Sequence, residues 1–303
     1  MHRIVIETPS EFNFRTTLLS HGWIQLAPFR ASEDYTQLSR IFQLASGAAI
    51  QLVMQADPDE NIEVIFESKF RINPEHQRNK IRQAVHHMFN LDLDLREFYD
   101  LISGETRYDW IVQYGAGRLL RSPSVWEDLV KTLMTTNTNW GSTVNMVKRI
   151  TALGDQFDEK QYVFPTPAQI AGYSLGQLDQ LIRAGYRTAY LLELAEKITS
   201  GEIEPEKWVN SGMNPGDLYK MISSLKGFGP YAAGSILKLL GKFDNLALDS
   251  EARAMFAKEF NNGDPPRDDK IAAHYERYGH WKGLVIWMDV MRDYFFRKIG
   301  KDV

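Results

Sequence analysis

The chain has 303 residues, 44% of them hydrophobic, 12% aromatic and 24% charged, with a net charge of −4 and no cysteine. That length supports one large or two ordinary domains with ample core, and the composition is that of an ordinary folded protein. Disulfides, iron–sulfur clusters and thiolate zinc sites are excluded. No apolar run reaches the ~18 residues of a membrane helix, and the mild negative balance argues against a broad polyanion-binding surface.

The opening residues, "MHRIVIETPSEF", carry no signal-peptide stretch, so the expected address is the cytoplasm, on the nucleoid if the source is bacterial. Four short runs rich in β-branched or aromatic residues predict strands: "WIQLAPF" (23–29), "QLSRIFQLA" (37–45), "AIQLVMQ" (49–55) and "IEVIFES" (62–68). Gly47 and "DPDEN" (57–61) supply turns between them. Alternation through Leu38, Arg40, Phe42 and Leu44 predicts an antiparallel sheet with one wet face.

Asn73-Pro74 opens a helix, and helical spacing of apolar residues continues almost to the end. Helices are predicted near 74–90, 93–103, 107–114, 123–134, 140–153, 167–171, 174–183 and 186–200. Further helices are predicted near 215–224, 231–241, 249–260, 267–277 and 281–299. Ser122-Pro123 and Thr166-Pro167 place proline at a first helical position. The expected architecture is α+β: a sheet domain over 1–73 and a large all-helical domain over 74–303.

Within the helical part stands "LKGFGPYAAGSILKLL" (225–240). Ile222, Leu225, Gly227, Phe228, Gly229, Ala233, Ile236 and Leu237 follow the spacing of a helix-hairpin-helix. Glycine permits the tight turn, and the bare amides at the start of the next helix suit a phosphate. A plain corner between two helices would read similarly. Twenty residues beyond Gly229 comes "LALDSEARAMF", with Asp249 at the start of a helix. Alone, Asp249 is an N-cap, and a helix N-terminus favours negative charge.

Hairpin and aspartate together resemble the helix-hairpin-helix (HhH-GPD) superfamily of DNA glycosylases, chiefly its 8-oxoguanine and 3-methyladenine glycosylase II branches. The segments 81–102, 117–150, 164–171, 184–195 and 278–290 resemble corresponding parts of the 8-oxoguanine branch. The resemblance covers nearly the whole chain and is most specific at the hairpin and Asp249. It implies that Gly227, Phe228, Gly229 and Tyr231 grip the DNA backbone and that Asp249 is catalytic. It also implies that Asn137 and Asn139 enter or touch the duplex, that Tyr186 is a wedge, and that Arg187 faces the orphaned base. Loop capping would account for the two asparagines as well, and core packing with a surface charge for Tyr186 and Arg187.

Departures from the pattern bear on substrate. Bifunctional members carry a nucleophilic lysine where this chain has Tyr231, and a tyrosine cannot form the imine needed to cut the strand. Ser142 replaces the arginine that reads an opposite cytosine, and the base-recognising glutamine aligns near Ile286. The implied enzyme is therefore monofunctional, with Trp140, Tyr231, Trp281 and Trp287 lining a pocket for an alkylated base. An 8-oxoguanine-type enzyme without lyase activity, or a silent DNA-binding protein, are the alternatives. The implied partner is double-stranded DNA with a damaged base, bound by a monomer. No metal site is expected, because His86-His87 are adjacent and His274 and His280 lack zinc-ligand spacing. Related hairpins suggest a monovalent cation at Gly227–Gly229.

Overall fold

The computed structural model of the protein describes residues 2–44, 46–67, 74–209 and 211–300. Its N-terminal part holds β1 (His2–Ile6), α1 (Phe14–Leu18), β2 (Arg30–Ala31), β3 (Gln37–Gln43), β4 (Ala49–Ala56) and β5 (Ile62–Phe66). The strands form one antiparallel sheet in the order β1-β5-β4-β3-β2. The register sets Leu38 opposite Met54, Arg40 opposite Leu52 and Phe42 opposite Ile50, so these side chains share one face.

That face is buried, and the charged Arg40 is buried with it. The reason is an ion pair: Arg40 Nη1 and Nη2 donate to the two carboxylate oxygens of Glu127 at 3.2 and 2.9 Å. Lys131 Nζ donates to Glu127 as well, at 2.7 Å, and to Ser122 Oγ at 3.1 Å. Burial opposes ionisation of Glu127, but Arg40 and then Lys131 outweigh it and hold its carboxyl below the ordinary value.

Two strand expectations are corrected. The run 23–29 is not a strand: Gly22–Gln25 forms a short 3-10 turn, and Trp23, Ile24, Leu26 and Phe29 are all buried. Its apolar side chains do not alternate because the turn sends Trp23, Ile24, Leu26 and Phe29 inward and leaves Gln25 exposed. Conversely, the β-branched run in His2–Ile6 is an edge strand that was overlooked. Ala45, Ser68 and Asn73, and so the expected divide at 73/74, lie outside the described residues.

The helices are α2 (Pro74–Met88), α3 (Arg96–Ile102), α4 (Asp109–Gln113), α5 (Val125–Thr135), α6 (Trp140–Thr151), α7 (Pro167–Ala171) and α8 (Leu175–Ile182). They continue with α9 (Tyr186–Thr199), α10 (Pro215–Ser223), α11 (Pro230–Leu239), α12 (Ser250–Phe260), α13 (Asp268–Tyr275) and α14 (Lys282–Ile299). Each falls on a predicted helix, so the chain is α+β. Pro167 is indeed the first residue of α7, behind a Thr166–Gln169 capping box. Pro123 is not helical, because Ser124 caps α5 by accepting from Glu127 N.

Helix α5 runs through the middle of the fold, with every residue from Val125 to Met134 buried. Sheet and helix side chains belong to one continuous core. No described helix is long and apolar enough to cross a membrane.

Candidate functional site

The hairpin between α10 and α11 turns at Gly227, whose φ of +88° suits glycine. A Cβ there would also fall 2.5 Å from Leu133 Cδ1 and 2.9 Å from Tyr190 Cδ2. Phe228 is 1% exposed, so its side chain anchors the turn in the core and is not presented to a partner. Gly229 caps α11 ahead of Pro230, and a Cβ on it would meet nothing within 4 Å. The hairpin therefore offers a bare backbone and a helix N-terminus on its open side.

Asp249 is reached through the connection 240–248, which is wedged between two glycines. A Cβ on Gly234 of α11 would fall 2.5 Å from Asn245 Oδ1, and one on Gly283 of α14 would overlap the carbonyls of Asn245 and Phe243. Gly283 N donates to Phe243 O at 2.7 Å, and Ala247 N donates to Asn245 Oδ1 at 2.8 Å. So held, Asp249 caps α12, its Oδ1 accepting from Ala252 N at 2.7 Å. It also lines a cleft of about 980 Å³, together with Tyr231 from the first turn of α11. Burial first, and then the charge of Asp249, raise the Tyr231 phenol above its ordinary value. Cap and cleft residue are thus one side chain.

The cleft walls are aromatic. Trp140 lines it, its indole N–H donating to Gln25 Oε1 at 2.9 Å, and Trp287 lines it with its N–H on Ser20 O at 3.0 Å. Trp281 does not: it is 6% exposed and packs between Phe98 and Phe243, each ring 5.4 Å away. The cleft side of α14 carries Trp287, Val290, Met291, Asp293, Tyr294 and Arg297, so Ile286, 1% exposed, points into the core and cannot read a base.

Of the loop residues, Asn137 reaches the cleft and takes a left-handed conformation at φ +46°. Its Nδ2 donates to Tyr186 Oη at 3.4 Å, which makes the pair neighbours on the exposed surface. Tyr186 is 49% exposed at the start of α9. Asn139 is a cap: its Oδ1 accepts from Ser142 N at 2.9 Å. Arg187 is buried under the loop, donating to Thr136 O from Nε at 3.0 Å and to Asn137 O from Nη2 at 3.0 Å. In this structure it braces the loop, where the resemblance had it facing a base.

Several cleft residues escaped the sequence reading. His21, Trp23 and Gln25 come from the N-terminal part, and no pattern in their own segment marks them. Lys238 also lines the cleft, two helical turns beyond Tyr231. Among the described residues no group of three or more His, Cys, Asp or Glu could hold a metal ion.

No family model matches the chain. It is 26% identical over 167 residues to the DNA-3-methyladenine glycosylase of Bacillus subtilis, covering 53% of this chain and 54% of that one. The chain thus spans about half the length of the curated relative it matches. Its structure is similar to that of a 3-methyladenine DNA glycosylase from Archaeoglobus fulgidus, with a TM-score of 0.73, 19% identity and coverage of 98% and 99%. It is also similar to a Clostridium acetobutylicum 8-oxoguanine glycosylase/lyase in complex with double-stranded DNA, with a TM-score of 0.71, 16% identity and the same coverage. These proteins fit the helix-hairpin-helix DNA glycosylase superfamily, and this chain has that superfamily's fold.

Proposed function

We propose that the protein is a monofunctional DNA glycosylase of base excision repair that removes an alkylated base. The observation that carries this is the shared cleft of Asp249 and Tyr231, one at the cap of α12 and the other beside the glycine hairpin. The hairpin backbone would hold a phosphate, and Tyr186 beside Asn137 would fill the gap left by a flipped base. Breaking the glycosidic bond builds positive charge on the sugar, which the Asp249 carboxylate would stabilise while orienting water. Trp140, Trp287 and Tyr231 offer aromatic faces to an electron-poor base. Tyr231 supplies no amine, so strand cleavage would not follow.

The partner in this reading is double-stranded DNA with one damaged base, bound by a single copy of the chain in the cytoplasm or on the nucleoid. A monovalent cation at the Gly227–Gly229 turn would be held by backbone carbonyl oxygens. The test is incubation of purified protein with duplexes carrying 3-methyladenine, 7-methylguanine, hypoxanthine, 8-oxoguanine or uracil, followed by alkali. Breaks should appear only after alkali, and Asp249→Asn should slow them ~100-fold or more. Breaks without alkali, trapped by borohydride, would overturn the monofunctional assignment.

A further inference from the structure

Tyr231, Ser235 and Lys238 follow one another along a single face of α11, and all three line the cleft. Lys238 is 4% exposed. Its Nζ donates to Leu246 O at 2.9 Å and lies 5.2 Å from the centre of the Trp287 ring. Leu246 O is its one hydrogen-bond partner among the described residues, whereas an ammonium has three donors. No described carboxylate pairs with it at salt-bridge distance. A buried amine without a counter-ion stabilises a fold poorly, and methionine would fill the same space. Two donors remain for a group that enters the cleft.

Resting on the glycosylase reading above, we propose that Lys238 extends the site to uncharged lesions as their general acid, giving a proton to the departing base while Asp249 supports the sugar. The C1′–N bond breaks with its electron pair passing to the base, and the base takes the Lys238 proton on a ring nitrogen or exocyclic oxygen. Water adds to C1′ and loses a proton to Asp249 or solvent; Lys238 is then reprotonated from solvent. The amine suits the task because burial lowers its pKa to about 7, against the opposing charge of Asp249. Other charged or titratable groups line the cleft: Glu251 and Arg253 from α12, Asp293 and Arg297 from α14, and His21, which burial keeps neutral. Among all these, Asp249 is the charge that acts on Lys238.

An acid helps only a base that is uncharged in the nucleotide and would otherwise leave as an anion. Hypoxanthine gains from the proton, while 7-methylguanine already carries the positive charge that a proton would supply. The test is single-turnover excision of both lesions by the full chain and by Lys238→Met, across pH 5.5 to 9. On hypoxanthine the wild-type rate should fall about tenfold per pH unit above the Lys238 pKa, and Lys238→Met should be ~100-fold slower with no such limb. On 7-methylguanine the same Lys238→Met preparation should match or exceed wild type, which also shows that it is folded. An alkaline limb that persists in Lys238→Met, an undiminished hypoxanthine rate, or equal loss on both lesions would overturn the proposal. A wild type active on 7-methylguanine but inert on hypoxanthine would sink the acid role alone. Inertness on every lesion would sink the glycosylase reading with it.

Discussion

Gly234 and Ala247 meet with no room between them: a Cβ on Gly234 would fall 2.7 Å from the Ala247 Cβ. This contact fixes the approach to Asp249, because Ala247 sits two residues before it at φ +51° and receives the Asn245 side chain on its N–H. The backbone here cannot yield freely, since Gly283 pins the same connection from the α14 side.

Gly234→Ala should therefore push the 245–249 connection away from α11. Overpacking of this kind costs about 1–3 kcal/mol, and the displacement would carry Asp249 with it. The expected result is a modest fall in Tm with a disproportionate, ~10- to 100-fold loss in single-turnover excision and unchanged affinity for undamaged duplex. Equal excision rates in variant and wild type would show that Asp249 is positioned by its own helix cap alone.

Arg187 gives a cleaner choice between two roles. If it braces the loop, Arg187→Ala leaves the Thr136 and Asn137 carbonyls without their guanidinium donors. The cost should be about 1–3 kcal/mol of stability, read by urea unfolding, and Arg187→Lys should recover only part of it because an ammonium cannot fork. A variant with unchanged unfolding but altered excision when the opposite base is varied would show that the arginine reads the orphaned base.

The parts of the site that were legible are those whose chemistry is local. Gly227 needs its residue type for backbone conformation, and Asp249 sits at a helix start, so both announce themselves in a few residues. Tryptophans are different: Trp281 stands just before α14 and Trp287 within it, and only their tertiary surroundings send one to the core and the other to the cleft. Arg40 shows no partner in its own segment, because Glu127 is far along the chain. His21, Trp23 and Gln25 were invisible for the same reason. Their place in the cleft depends on how the N-terminal segment packs against α6 and α14, which no short window contains.

The hairpin itself should be intolerant at its first glycine and tolerant at its second. Gly227→Ala meets both a left-handed φ and the Leu133 and Tyr190 side chains, for a cost of about 2–4 kcal/mol and a Tm lower by several degrees. Gly229→Ala has ordinary φ and open space, so Tm should hold. If DNA backbone approaches that open side, Gly229→Ala should still weaken duplex binding about tenfold, equivalent to ~1.4 kcal/mol. Unchanged binding would place the DNA elsewhere.

His21 supplies a pH signature that can be assigned to one residue. Its Nε2 donates to Leu120 O at 2.6 Å, and burial, reinforced by Lys131 and only partly offset by that bond, lowers its pKa from 6.5 to about 4. The folded state therefore holds the neutral ring while the unfolded chain takes up a proton. A depressed pKa means stability that is present above pH 6.5 and lost as pH falls toward 4, here about 3 kcal/mol. His87, also lowered to about 4 by burial and by Arg121, adds a parallel loss. Asp128 works in the opposite direction, since burial raises it to about 6 despite hydrogen bonds from Ser122 and Trp23. Total stability in this range mixes all three, so the comparison must be between variants. His21→Gln keeps a donor for Leu120 O and cannot titrate. Its urea midpoint should fall less steeply than that of wild type between pH 6.5 and 4, the two curves converging toward acid. Parallel curves down to pH 4 would mean that His21 takes up its proton without disturbing the fold.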